Sequence, residues 1–116
     1  MLVINNVELN VDFTDAEFID KVDKASKKVL KNVDELKAEK EKKDFSAAEG
    51  IRQECKILKD FIDDVFGAGT SEQIFEGRNS LMECLQVYED IINEKQKQNN
   101  ILENAINKYS PDRLKR

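Results

Sequence analysis

The sequence predicts a mainly α fold, in which a short N-terminal β-hairpin is followed by a bundle of three long helices and one short helix. Lys, Glu, Asp, Leu and Ile dominate the composition, which favours helices over sheets or disorder. Apolar residues recur at three- and four-residue steps through most of the chain. Proline and glycine, which break helices, occur only one and four times. With 116 residues, we expect a single domain covering 1–116.

Residues 1–13 are predicted to form the hairpin. The segments Leu2–Ile4 and Val7–Val11 flank Asn5-Asn6, and asparagine tolerates the positive φ angles of a two-residue hairpin turn. Alternate residues of the second segment are apolar, so one face of that strand is apolar. Because a lone two-stranded hairpin is marginally stable in water, it must either pack on the helices or pair its edge with another chain. The sequence leaves both alternatives open.

Capping boxes, in which Ser or Thr is followed three residues later by Glu or Gln, mark the helix starts. Thr14, Ser46 and Thr70 are the predicted N-caps of the first three helices, and Asn79 or Ser80 is that of the fourth. The predicted helices span 14–42, 46–66, 70–76 and 79–109, followed by a basic tail at 110–116.

The stretch Phe61–Gly77 contains the turn between the second and fourth helices. Its Gly67-Ala68-Gly69-Thr70 segment precedes a helix and so invites comparison with a phosphate-binding loop, because helix N-termini bind anions. No lysine follows, however, and acidic residues surround the segment. We therefore interpret it as a helix stop followed by an N-cap. The aromatic residues expected in the core are Phe61, Phe66, Phe75 and Tyr88.

Two polar gaps interrupt the apolar pattern, at Lys37–Asp44 and Glu94–Asn100. Antiparallel packing of the helices would place these gaps opposite each other, beyond the core. The apolar pattern resumes at Ile101 and needs a partner of its own. That last segment either folds back on the body or forms an interaction segment, and continuity of the helix through 93–100 is left open.

The residue types argue against hydrolase-type catalysis. Histidine is absent, which removes the usual general base and the commonest metal ligand. Cys55 and Cys84 occupy apolar positions of helical patterns and are predicted to be buried, reduced thiols. Asp60, Asp63 and Asp64 are interpreted as a solvated acidic face, because hard cations usually need a looped site with six or more oxygens. We predict no enzymatic activity, no cofactor and no metal site.

Targeting features are also missing from the sequence. No apolar run approaches the roughly 20 residues needed to span a bilayer. The N-terminus lacks the basic and apolar regions of a signal peptide. We expect a cytoplasmic protein that contacts no membrane. The short basic ending Arg113–Arg116 is too small to specify a nucleic acid, and none is expected as a partner.

Laid out in this way, the chain resembles a family of small phage and prophage proteins of Firmicutes. These proteins are encoded among tail genes and are similar to tail assembly chaperones. The chain differs in having Asp112 where asparagine is expected and in a shorter basic tail. Three stretches carry the resemblance: Ile4–Leu9 leading to Asp12-Phe13, Ile51–Cys55 through Phe61–Thr70, and the ending Asn107–Arg113.

The resemblance implies a non-enzymatic tail assembly factor or chaperone in the host bacterial cytoplasm. Such a protein binds a tail protein such as the tape measure, whose hydrophobic helices would otherwise aggregate, and it works as an oligomer. The alternative is a phage-encoded effector that inhibits a host enzyme or defence complex through its acidic surface. The predicted partner-binding residues lie in the hairpin and in the last apolar segment: Val3, Val7, Leu9, Ile101, Leu102, Ile106 and Tyr109.

Overall fold

The structure, a computed structural model, describes residues 2–109, and the predicted tail at 110–116 lies outside the described residues. The predicted fold class is confirmed: a two-stranded antiparallel hairpin precedes three long helices and one short helix. The elements in chain order are β1 (Leu2–Ile4), β2 (Val7–Leu9), α1 (Ala16–Lys42), α2 (Ala47–Phe66), α3 (Thr70–Phe75) and α4 (Leu81–Tyr109).

The hairpin packs on the helices of its own chain. Asn5 and Asn6 both have positive φ angles, 49° and 66°, as the two-residue turn requires. Ile4 and Leu9 are buried in the core, and the Asn5 side-chain amide donates a hydrogen bond to the carbonyl of Ile74 (3.1 Å). The apolar face of the hairpin is therefore already used. The strands pair in register as Leu2 with Leu9, Val3 with Glu8 and Ile4 with Val7.

Two of the predicted N-caps are confirmed. The Ser46 hydroxyl accepts a hydrogen bond from the backbone N–H of Glu49 (3.1 Å), and α2 begins at the next residue. The Ser80 hydroxyl accepts one from the N–H of Glu83 (3.3 Å), which selects Ser80 over Asn79. Each bond satisfies one of the N–H groups that the first turn of a helix leaves without a partner.

The predicted N-cap of α1 is wrong by one residue. Asp15, not Thr14, is the cap, and its carboxylate accepts a hydrogen bond from the N–H of Phe18 (3.0 Å). The Thr14 hydroxyl instead donates to the carboxylate of Asp12. Thr14 and Asp15 are both residue types that can cap a helix. Because the Thr14 hydroxyl is bonded to Asp12, Asp15 takes the cap position.

The corner between α2 and α4 is capped from a neighbouring helix. Gly69, with a φ of 91°, is the N-cap position of α3 and has no side chain to offer, so the prediction that Thr70 caps α3 is wrong. The Asp63 carboxylate of α2 accepts hydrogen bonds from the backbone N–H (2.8 Å) and the hydroxyl (3.0 Å) of Ser71. Asp63 therefore fixes α3 against the end of α2 rather than forming part of a solvated face.

Helix α2 is the centre of the bundle, and α1, α3 and α4 all pack on it. The Cys84 thiol contacts Cys55, and the Tyr88 ring lies 5.0 Å from the Phe61 ring in an edge-to-face arrangement. Residue numbers thus rise in the same direction along α2 and α4, so these two helices are parallel. The predicted aromatic core is confirmed for Phe61 and Phe75, which are buried, while Phe66 and Tyr88 are half-buried against the core.

The parallel arrangement places the two polar gaps far apart along a molecule 62 Å long. The gap at 37–44 forms the α1–α2 turn. The gap at 94–100 lies inside α4, which is one continuous helix from Leu81 to Tyr109. Gln98 in this gap bonds to the segment that leads into α1, accepting from the N–H of Phe13 (2.6 Å) and donating to the carbonyl of Val11 (2.8 Å). The expectation that the gaps face each other is wrong.

Candidate protein-binding surfaces

The acidic residues of α2 are engaged within the chain. Asp60 forms a salt bridge with Lys56 (2.9 Å) and Asp64 one with Lys28 of α1 (3.1 Å), while Asp63 caps α3. Exposed pairs of this kind contribute little to stability. They do reduce the free negative charge on this face. Within residues 2–109, no group of three His, Cys, Asp or Glu side chains is placed to hold a metal ion.

The two cysteines are free and fully buried, as predicted. Burial raises the pKa of the Cys84 thiol to about 12, and the neighbouring Cys55 acts in the same direction. Since only the thiolate is an effective nucleophile or metal ligand, Cys84 is inert in the folded chain.

An apolar groove opens over α2, where α1 and α4 pack on either side of that helix. We call it the α1–α4 groove. Its volume is about 280 Å³, and Lys37, Lys40 and Glu54 lie at its margin. Lys40 and Glu54 form a salt bridge there (2.8 Å), which joins α1 to α2. The apolar lining comprises Val29, Val33 and Leu36 of α1, Ile57 and Leu58 of α2, and Leu81 and Leu85 of α4.

The α1–α4 groove has the properties of a helix-binding surface. It lies between two helices, seven of its ten lining residues are apolar, and Leu85 is 48% exposed. Grooves of this kind accept apolar side chains that an amphipathic helix presents at positions i, i+3 or i+4, and i+7. The sequence did not reveal this surface, because its residues carry the same apolar spacing as those that pack in the core.

The apolar segment at the end of α4 has no partner in the described part of the chain. We call residues 101–108 the distal segment. Ile101, Leu102 and Ile106, three of the residues predicted to bind a partner, are 67%, 41% and 42% exposed. Since α4 is continuous, the alternative that this segment folds back on the body is wrong. The side chain of Tyr109 lies outside the described residues.

The hairpin residues predicted to bind a partner have different environments. Val3 is exposed, whereas Val7 is half-buried and packs against the core. Leu9 is fully buried, so the prediction that it contacts a partner is wrong for the folded chain. The physical reason is the pairing register, which turns Ile4 and Leu9 together towards the helices.

A second concavity, of about 570 Å³, lies between β2, the start of α1 and the end of α2. Glu8 and Glu17 line it together with two acids that are already bonded locally. Asp15 caps α1, and hydrogen bonds from the side chain and backbone of Thr14 hold the pKa of Asp12 below its ordinary value. Because much of its polar lining supports the N-terminus of α1, this concavity is a weaker candidate than the α1–α4 groove.

Comparison with known proteins identifies a family but no function. No described helix combines the length and the apolar character needed to cross a membrane. No curated protein and no solved structure matches the chain. Residues 5–116 match the family of unknown function DUF6673, and the chain belongs to that family.

Proposed function

We propose that this protein is a non-enzymatic phage tail assembly factor, or chaperone, that binds an apolar helix of a tail protein such as the tape measure. The α1–α4 groove is the observation that carries the proposal, because it offers an open apolar surface between two helices. The tail context comes from the resemblance at Ile4–Phe13, Ile51–Thr70 and Asn107–Arg113. The protein would act in the host bacterial cytoplasm without a cofactor.

The groove suits a chaperone because binding there would be reversible. Burying one Leu-sized side chain contributes about 1.5–3 kcal/mol, so three anchors supply about 5–9 kcal/mol before the cost of association. The cost of association reduces this gain further, so the resulting affinity is weak or moderate. A chaperone must hold hydrophobic helices until tail-tube subunits replace it, and a tighter contact would oppose the replacement.

The alternative, an effector that inhibits a host enzyme or defence complex through its acidic surface, has less support. Such an effector needs free carboxylates on the acidic surface, which begins at Asp60 in the sequence. Asp60 and Asp64 are paired with lysines, and Asp63 is committed to the α3 cap. An inhibitor of this kind would have to break those contacts or use other acids.

Co-expression tests the proposal directly. A helical fragment of the tape-measure protein encoded in the same tail gene cluster would be produced with the wild-type chain, and its soluble fraction and co-elution would be measured. We expect a soluble complex. Leu85→Asp places a charge in the groove and should abolish the complex, because the charge would have to be buried on binding.

The matched control is Leu30→Asp. Leu30 is 67% exposed on α1 and does not line the groove, so this variant should protect the fragment as the wild type does. A fragment that stays insoluble with the wild-type chain, or a complex that survives Leu85→Asp, would contradict the proposed function.

A further inference from the structure

We infer that the α1–α4 groove also receives the distal segment of a second copy of this chain, so that copies join head to tail. The inference rests on the groove of the proposed function and names another occupant for it. The contact itself requires no tail protein, so it can be tested separately.

The distal segment has the surface of a helix that lacks its partner. Gln98 is bonded to the segment before α1, and one turn later Ile101 is 67% exposed. At 3.6 residues per turn, the side chains of 101, 102, 105 and 106 fall within an arc of about 140°. One side of the segment is thus apolar, as a helix bound in a groove requires.

The segment cannot reach the groove of its own chain. Leu81 and Leu85, near the start of α4, form one wall of that groove. Ile101 follows Leu85 by 16 residues of the same continuous helix, which places it about 24 Å farther along the axis at 1.5 Å per residue. Only the groove of another copy is available to it.

The charges of the two surfaces are compatible. At the margin of the groove Lys40 is paired with Glu54, which leaves Lys37 as the second lysine there. The distal segment carries one acid, Glu103, and one base, Lys108. A docked segment can therefore place Glu103 against a lysine of the margin. The partial negative charge at a helix C-terminus is also favoured near lysine side chains.

The predicted contact joins two different surfaces, and this fixes the kind of assembly. Each copy keeps a free groove at one end and a free segment at the other, so further copies can add in a row or a ring. Because one short helix in a groove buries less than about 1,200 Å², the contact is expected to be weak and reversible. A groove that holds the distal segment of another copy cannot also hold a helix of the tail protein, so the two occupants compete for the same surface.

A mixing experiment distinguishes this contact from a symmetric dimer. The segment variant Ile101→Asp with Ile106→Asp keeps its groove, and the groove variant Leu85→Asp keeps its segment. Sedimentation velocity over a concentration series reaching the millimolar range should show mass increasing for the wild type and for the control Leu30→Asp. Each variant alone should stay monomeric, and an equimolar mixture should form a one-to-one heterodimer. Circular dichroism would verify that both variants remain helical.

Three results would overturn the inference: a wild-type chain that is monomeric throughout, a segment variant that assembles like the wild type, or a mixture that stays monomeric. Its failure is separable from failure of the proposed function. A monomeric wild-type chain that still keeps the tape-measure fragment soluble overturns only the head-to-tail contact. Head-to-tail assembly without any complex with the fragment overturns only the tail-protein binding.

Discussion

The two halves of α4 carry similar apolar spacing but have different environments. In the first half, Cys84, Val87 and Ile91 are buried against the core. In the second half, Ile101, Leu102 and Ile106 continue the pattern and are substantially exposed. Between them lies the polar stretch 94–100, where Gln98 contacts the segment that leads into α1. Helical periodicity thus identifies the apolar face of a helix, but only the neighbouring elements determine whether that face is covered.

This difference separates residues that stabilise the fold from residues available for binding. Removing a buried side chain leaves a cavity that the core fills only in part, whereas removing an exposed one leaves none. Substitutions in the first half of α4 should therefore reduce the free energy of unfolding. Substitutions in the distal segment should change association and leave folding intact.

The largest effect is expected for Ile91→Ala, because Ile91 is fully buried. The free energy of unfolding should fall by about 2–5 kcal/mol, as for other large-to-small substitutions in cores. The matched control is Ile106→Ala in the distal segment, which should change the free energy of unfolding by less than about 0.5 kcal/mol. Urea denaturation of the two variants and the wild type, monitored by circular dichroism, measures both values. Equal losses in the two variants would contradict the division of α4 into two halves.

A smaller effect concerns the Cys84 thiol in the buried half. Its pKa in the folded chain is about 12, against an ordinary value of 9.0. The unfolded chain therefore loses this proton first, so the free energy of unfolding is unaffected below pH 9 and falls as the pH rises from there towards about 12. Urea denaturation on either side of pH 9 should show this decline. The Cys84→Ala variant is the control for other groups that lose protons in this pH range, such as lysines and tyrosines. Its free energy of unfolding should decline less steeply with pH than that of the wild type. An equal decline would exclude the thiol as the cause.

The smallest effect is expected at the boundary between the two halves. Gln98→Ala removes the hydrogen bonds to the N–H of Phe13 and the carbonyl of Val11. Both backbone groups lose a partner, which should cost about 1–2 kcal/mol. Hydrogen exchange should become faster at the Phe13 amide. Gln96→Ala is the control, because the Gln96 side chain bonds only along the exposed surface of α4 to Asn100. Unchanged exchange at Phe13 would mean that the hairpin segment is held by packing alone.

Much of the fold could be predicted from the sequence, because the relevant interactions are local. The Asn5-Asn6 turn and the Ser46 cap each depend on residues within a few positions along the chain. Periodicity then identified the helices and their apolar faces. The hairpin could not be assigned to its own chain in advance, since packing on the helices and pairing with another chain both satisfy its apolar face.

The predictions that were wrong depend on contacts between distant residues. From the sequence, Asp63 was interpreted as one of three surface acids. In the fold, α3 lies beside it and Ser71 is within hydrogen-bonding distance. Gln98 lies in a polar gap and bonds to residues 85 and 87 positions earlier in the chain. The α1–α4 groove follows from the parallel arrangement of α2 and α4, which no local pattern specifies. Of the α1–α4 groove and the distal segment, only the distal segment was therefore predicted from the sequence.

The continuity of α4 through its polar stretch sets a fixed distance and rotation between the groove wall at Leu85 and the apolar side of the distal segment. Each residue inserted between them would advance the segment by about 1.5 Å and rotate it by about 100°. Seven inserted residues would lengthen the spacing by about 10 Å yet restore the facing to within about 20°. If copies join through this helix, the number of residues between Leu85 and Ile101 determines the repeat length and the twist of the assembly.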